Sequence, residues 1–171
     1  MSTTNVEYTT LARLLKNQSD SHFVTSIKDQ YLTLQCYPQL SNTVTMSNLE
    51  FMNRVGEMNR MGDIAIAYEQ TENNIIILGI GSLCIELKID NKNIGHIDNI
   101  VIHPGFMEQE KTVQEIVNRL TRLAFNNSCY IVIINSKRDL SKKFEELGYT
   151  INGIEMVKYN NNIINHNNRA L

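Results

Sequence analysis

Apolar residues recur along this chain with two different periods. Residues 64–68 and 75–85 are rich in isoleucine and predict two strands joined by a turn at Thr71-Glu-Asn-Asn74. The second run is apolar throughout, as in a central strand covered on both faces. Further strands are predicted over residues 95–103 and 129–135. Between them Val113, Ile116, Val117, Leu120, Leu123 and Ala124 recur at helical spacing, and Asn126-Asn127 ends that helix. Upstream, Ser47-Asn-Leu-Glu50 is a capping box, in which the serine hydroxyl accepts a first-turn amide and the glutamate reaches back. The helix it opens is expected to carry Leu49, Met52, Val55 and Met58 on one buried stripe, with Gly62 ending it.

The remaining elements are shorter. Leu11, Leu14 and Leu15 predict a short helix in an otherwise polar segment. Phe23 and Val24 predict a first strand, and Asp29 is expected to cap a helix containing Tyr31, Leu32, Leu34 and Gln35 that Pro38 stops. A charged helix ends at Leu147-Gly148-Tyr149, and a last strand is predicted over residues 153–158. The order β-α-α-β-β-β-α-β-α-β indicates an α/β (α+β) protein with a mixed sheet flanked by helices.

Composition narrows the field. A chain of 171 residues suits one domain, and its formal net charge of −2 argues against charge-driven nucleic-acid binding. No apolar run approaches the roughly 20 residues of a membrane span, and the first residues lack a signal pattern. Cys36, Cys84 and Cys129 sit in apolar stretches without metal-ligand spacing, so buried free thiols in a reducing, cytoplasmic setting are expected. The chain is expected to need no metal.

The segments Gly95-His-Ile97, Cys129-Tyr130 and Gly153-Ile-Glu-Met156, set in this order of elements, resemble the GNAT acyltransferases. Among these they are most similar to the glucosamine-6-phosphate N-acetyltransferase family. The resemblance spans residues 22–159 and leaves 1–21 as an N-terminal extension and 160–171 as a mobile tail. It implies a GNAT-like, mostly antiparallel, twisted sheet. It also implies acetyl transfer from acetyl-CoA to the amine of D-glucosamine 6-phosphate, feeding UDP-N-acetylglucosamine synthesis. The expected partners are acetyl-CoA or CoA, a sugar phosphate and a second copy of the chain, tied on through the last strand in a homodimer.

The resemblance also carries residue roles. The family binds the acetyl-CoA pyrophosphate at the N-terminus of its long helix, through Gln/Arg-x-x-Gly-x-Gly/Ala. The matching segment here is Met107, Glu108, Gln109, Glu110, Lys111 and Thr112, with Glu110 and Thr112 in place of the glycines. A carboxylate about 4 Å from a phosphate costs roughly 1 kcal/mol in water, and more when partly desolvated. Read from the residues alone, Glu108 and Glu110 are first-turn acids that complement the helix dipole. Ile100, Val101 and Ile102 are assigned to the same cofactor.

Asp98 and Asn99 stand where the family has an acidic pair that binds sugar and holds the amine. Unless a bulge intervenes, alternation puts Asp98 and Ile100 on one face of the strand, and Ile97, Asn99 and Val101 on the other. A tyrosine that protonates the leaving thiolate aligns with Phe144, so Tyr130 is the expected substitute, with Tyr149 also in reach of the role. Asn135 replaces an aspartate that contacts sugar, Ser41 and Lys88 match phosphate contacts, and Lys158 lies one place before a family arginine. His96 and His103 show no partner in the sequence. The replacements at the helix and at Phe144, Asn99 and Asn135 keep a second class open: a weak or inactive relative that serves as a ligand- or protein-binding module.

Overall fold

The computed structural model describes residues 5–18, 20–36, 45–71, 74–135 and 141–151. The chain divides into two compact units, Met1–Ser136 and Lys137–Leu171. The first unit holds one sheet of five strands: β1 (Glu7–Thr10), β2 (Gly62–Gln70), β3 (Ile75–Glu86), β4 (Asn93–Ile102) and β5 (Cys129–Ile134). They lie in the order β1-β2-β3-β4-β5. The first four pair antiparallel, and β4 pairs β5 parallel. A parallel pair needs a crossover, which α4 (Gln109–Asn126) supplies.

Helices cover the two faces unequally. On one face α1 (Leu11–Lys16), α2 (Ser21–Gln35) and α3 (Asn48–Met58) pack Leu11, Ile27, Tyr31 and Phe51 against Ile66, Ile77 and Ile80. On the other, α4 sets Ile116, Leu120 and Ala124 against Ala65, Ala67, Leu83 and Ile97. Ile66 and Ala67, adjacent in β2, thus serve opposite cores, as strand alternation requires.

Close approach of α4 depends on absent side chains in β3. A Cβ on Gly81 would lie 2.6 Å from Ile116 Cγ2, and one on Gly79 would lie 2.6 Å from Ile102 Cδ1. Buried Thr112, in the first turn of α4, has its Cγ2 3.3 Å from that same Gly79 position.

Several elements differ from expectation. Residues 7–16, read as part of an extension in front of the domain, form β1 and α1, and Leu11, Leu14 and Leu15 are core residues. β1 escapes a periodicity reading because Glu-Tyr-Thr-Thr is polar; its ladder to β2 and the 2.9 Å bond from Tyr68 Oη to Glu7 hold it. Phe23 and Val24 are helical: α2 starts at an Asp20 cap, and Val24, Ile27, Tyr31 and Leu34 form its buried stripe. Asp29 lies inside that helix, where its carbonyl accepts from Thr33 Oγ1.

The capping box of α3 forms as predicted, but its stripe does not. Phe51 and Val55 are buried, whereas Leu49, Met52 and Met58 are exposed. Gly62 opens β2, and the helix ends at an Asn59 cap. Only Cys129 of the three cysteines is buried; Cys84 is exposed. The predicted strand over residues 153–158 and the tail over 160–171 lie outside the described residues.

Candidate active site

β4 carries the main irregularity of the sheet. Ser82 of β3 pairs with Asp98, and Ile80 pairs with Val101. Asn99 and Ile100 therefore oppose the single residue Gly81, which is a β-bulge. Asn99 adopts φ +54°, a left-handed conformation that asparagine tolerates better than most residues.

The bulge resets the faces. Ile97, Ile100 and Ile102 all join the core under α4, while Val101 joins the opposite core. The alternation expected from the sequence is corrected accordingly: Asp98 and Ile100 do not share a face, because one extra residue shifts the period between them. Asp98 is half-buried, and Asn99 beside it is exposed.

Polar contacts gather at this point. Asn135, just beyond the end of β5, donates its Nδ2 to Asp98 Oδ1 at 3.0 Å. Ser82 Oγ donates to the Asp98 carbonyl at 3.0 Å and accepts from Asn99 Nδ2 at 3.1 Å. Three residues named from the sequence, Asp98, Asn99 and Asn135, are thus brought together. Ser82 was not among them. Its only sequence signal is a polar residue inside the apolar run of β3, Ile80-Gly-Ser-Leu83.

The N-terminus of α4 follows the end of β4. Glu108 holds the N-cap position without a side-chain bond to the first turn. The amides of a first turn have no partners within a helix and favour an anion. Glu108 instead pairs with Lys111 Nζ at 3.1 Å, and Gln109 Nε2 donates to the Pro104 carbonyl at 3.1 Å. Met107 is almost fully exposed. An anion at this 18-residue helix would meet main-chain amides, with Lys111 the nearby cation.

Other named residues lie elsewhere. Lys88 forms an ion pair with Glu86, whose other oxygen meets His96 Nε2 at 3.1 Å. These contacts, Lys88 first and His96 second, hold the Glu86 carboxyl below the usual carboxylate range. His96 thus has a partner that the sequence did not reveal. His103 Nδ1 accepts from the Gly105 amide at 3.2 Å and shapes the turn before α4.

Tyr130 is 74% exposed near the start of β5. Five residue steps along the strand separate it from Asn135, roughly 16 Å of rise, which places it away from Asp98 in this chain. Ser41 and Lys158 lie outside the described residues. In the second unit, Phe144 on α5 (Ser141–Glu146) is buried, with its ring edge-on to Tyr149 at 6.2 Å between centroids.

A parallel β4–β5 pair, a bulged β4 and a long helix opening just after it define a GNAT-fold domain. Solved structures agree. Glucosamine-6-phosphate N-acetyltransferase from Arabidopsis thaliana superposes with a TM-score of 0.71 at 22% identity, covering 91% of this chain and 98% of that one. A Trypanosoma brucei acetyltransferase gives a TM-score of 0.71 at 20% identity, over 91% and 99% of the two chains.

No family model matches the chain. Characterised sequences do. The glucosamine 6-phosphate N-acetyltransferase of Schizosaccharomyces pombe is 34% identical over 97 residues, which is 55% of this chain and 85% of that protein. The Candida albicans enzyme of the same name is 28% identical over 137 residues, 78% of this chain and 89% of that protein. The chain belongs to the glucosamine-6-phosphate N-acetyltransferase family.

Proposed function

We propose that this chain transfers the acetyl group of acetyl-CoA to the amine of D-glucosamine 6-phosphate. The observation that carries this reading is the Asp98 carboxylate, set at the β4 bulge and tied on one oxygen to Asn135, in a chain of this family. The second oxygen accepts from the substrate amine and aims its lone pair at the thioester carbonyl. Nitrogen attacks that carbon, the C–S bond breaks, and the proton lost by nitrogen ends on the departing sulfur. The products are N-acetylglucosamine 6-phosphate and CoA.

The main chain of residues 100–102 lines the acyl arm, and the α4 amides with Lys111 take the pyrophosphate. Acetyl-CoA supplies the acyl group; the protein supplies position and a field. Lys88, paired with Glu86 through one of its three N–H donors, keeps others to offer a sugar phosphate. A second copy of the chain completes the substrate site in this reading, which the family supports. No helix among the described residues is long and apolar enough to cross a membrane, and a cytoplasmic setting is part of the proposal.

The test is release of free CoA thiol on mixing the full chain with acetyl-CoA and D-glucosamine 6-phosphate. Glucosamine and galactosamine 6-phosphate serve as comparison acceptors. Turnover that requires both the amine and the phosphate supports the reading; none with any acceptor overturns it. The Glu108 and Glu110 carboxylates at the glycine-free helix favour a second reading, a binding relative without turnover. That reading predicts sugar-phosphate binding by calorimetry with no thiol release.

A further inference from the structure

We propose that Ser82 is a positioning residue for this site: its hydroxyl clasps the β4 bulge and thereby sets the Asp98 carboxylate and the Asn99 backbone. The inference rests on the reading of Asp98 as the amine-binding group. Ser82 is 8% exposed in a strand whose neighbours Ile80 and Leu83 belong to the two cores. A hydroxyl in such a place is costly unless both its donor and acceptor capacities are met. Here they are met by the bulge alone. The hydroxyl proton goes to the Asp98 carbonyl at 3.0 Å, and the oxygen accepts from the Asn99 side chain at 3.1 Å.

Each contact restrains a different freedom. The first fixes the peptide that follows Asp98, which is the hinge of the bulge. The second holds Asn99 at φ +54°, a region that side chains other than asparagine and aspartate seldom occupy. Without the clasp, β4 could return to regular alternation and move Asp98 relative to Asn135. One Asn99 side-chain N–H is spent on Ser82, so Asn99 contributes geometry as well as any contact to a sugar. Displacement of a reacting group by about 1 Å can cost on the order of 100-fold in rate.

Three variants of the full chain test this: Ser82→Ala, Ser82→Thr and Asn99→Gly. Ser82→Ala is expected to raise KM for D-glucosamine 6-phosphate about tenfold while acetyl-CoA affinity stays within about twofold. Ser82→Thr, which keeps the hydroxyl, restores most of the loss. By amide hydrogen exchange, Ser82→Ala accelerates residues 99–101 at least about tenfold and leaves Ile97 unchanged. Asn99→Gly, which takes positive φ without strain, shows a smaller acceleration at the same amides and serves if Ser82→Ala does not fold.

Unchanged exchange at residues 99–101, or acceleration spread evenly along β4, overturns the proposal. So does a Ser82→Thr variant no better than alanine. If the wild-type chain fails to acetylate D-glucosamine 6-phosphate, the functional reading falls, and exchange alone decides the role of Ser82.

Discussion

Asn135 and Asp98 meet across the last rung of the parallel pair, Nδ2 to Oδ1 at 3.0 Å. Below them the strands are paired; the Asn135 amide still reaches the Ile97 carbonyl at 3.4 Å. The carboxylate is thereby held on one oxygen and left with lone pairs on the other. An asparagine does this without placing a second negative charge beside Asp98. Under the proposed function, the Asn135 amide takes the orienting role.

Asp98→Ala is expected to lower kcat/KM by about 10² to 10⁴, the usual range for a group that handles the transferred proton. Its melting temperature should stay close to that of the wild type, since the side chain faces no core. Asn135→Ala should be milder, about tenfold, and should act mainly on KM for the amino sugar. Initial rates over both substrates separate the two effects. A fully active Asp98→Ala enzyme would move the amine site elsewhere.

Acetyl-CoA binding should respond to the Glu108–Lys111 pair. Their 3.1 Å contact keeps the lysine charge partly engaged at the mouth of α4. Glu108→Gln removes one repulsion and releases the cation, so calorimetry should find Kd lowered about fivefold, the equivalent of roughly 1 kcal/mol. Lys111→Ala should weaken binding by a similar factor, and added salt should shrink both changes. An unaltered Kd in both variants would show that the pair does not face the phosphates.

Much of the sheet was legible in the sequence because β2, β3, β4 and β5 are long or strongly apolar. The same holds for α4, where Ile116, Val117, Leu120 and Ala124 recur at helical spacing and are all buried. The capping box at Ser47 was legible as a chemical signature. The stripe behind it was not: Leu49 and Met52 are as apolar as Phe51 and Val55, and packing alone chooses between the two faces. α2 was hidden because its first turn, Ser-His-Phe-Val, looks like the start of a strand when read without its Asp20 cap. The site was half legible. Asp98 and Asn135 were singled out by position, each on its own and without their mutual contact; a bulge adds one residue without altering composition, so alternation alone does not locate it. His96 gains its partner Glu86 only through the pairing of β3 with β4.

The Glu86 cluster makes a prediction in pH. Lys88 and His96 favour the ionised carboxylate, so the folded-state pKa lies below that of a free glutamate. Such a group contributes stability above its unfolded pKa and loses it as pH falls through the folded one. The difference in melting temperature between wild type and Glu86→Gln, full above the unfolded pKa, should therefore close progressively as pH falls below about 4. The facing cations share the pattern: Lys88→Gln should reduce the difference at pH 6. A gap that persists unchanged into strong acid would assign the effect to packing instead of charge.

Gly81 tests the link between packing and the site. It is the single residue opposite Asn99 and Ile100, and a Cβ there would meet Ile116 Cγ2 at 2.6 Å and Leu120 Cδ1 at 3.2 Å. Both neighbours are fully buried in the core under α4, so neither has free space to enter. Gly81→Ala must therefore push α4 outward or shift β3, at a cost of about 1 to 3 kcal/mol. Because α4 carries the proposed pyrophosphate site and β3 carries Ser82, the strain should appear in function as well as in stability. Acetyl-CoA affinity is expected to fall together with the denaturation midpoint. Gly56→Ala provides the control: apart from its chain neighbours and its own helix backbone, no atom lies within 4 Å of its Cβ position, on the exposed side of α3, so it should raise stability slightly by favouring helix. If Gly81→Ala unfolds at the wild-type midpoint, α4 does not lie on β3 as closely as these distances require.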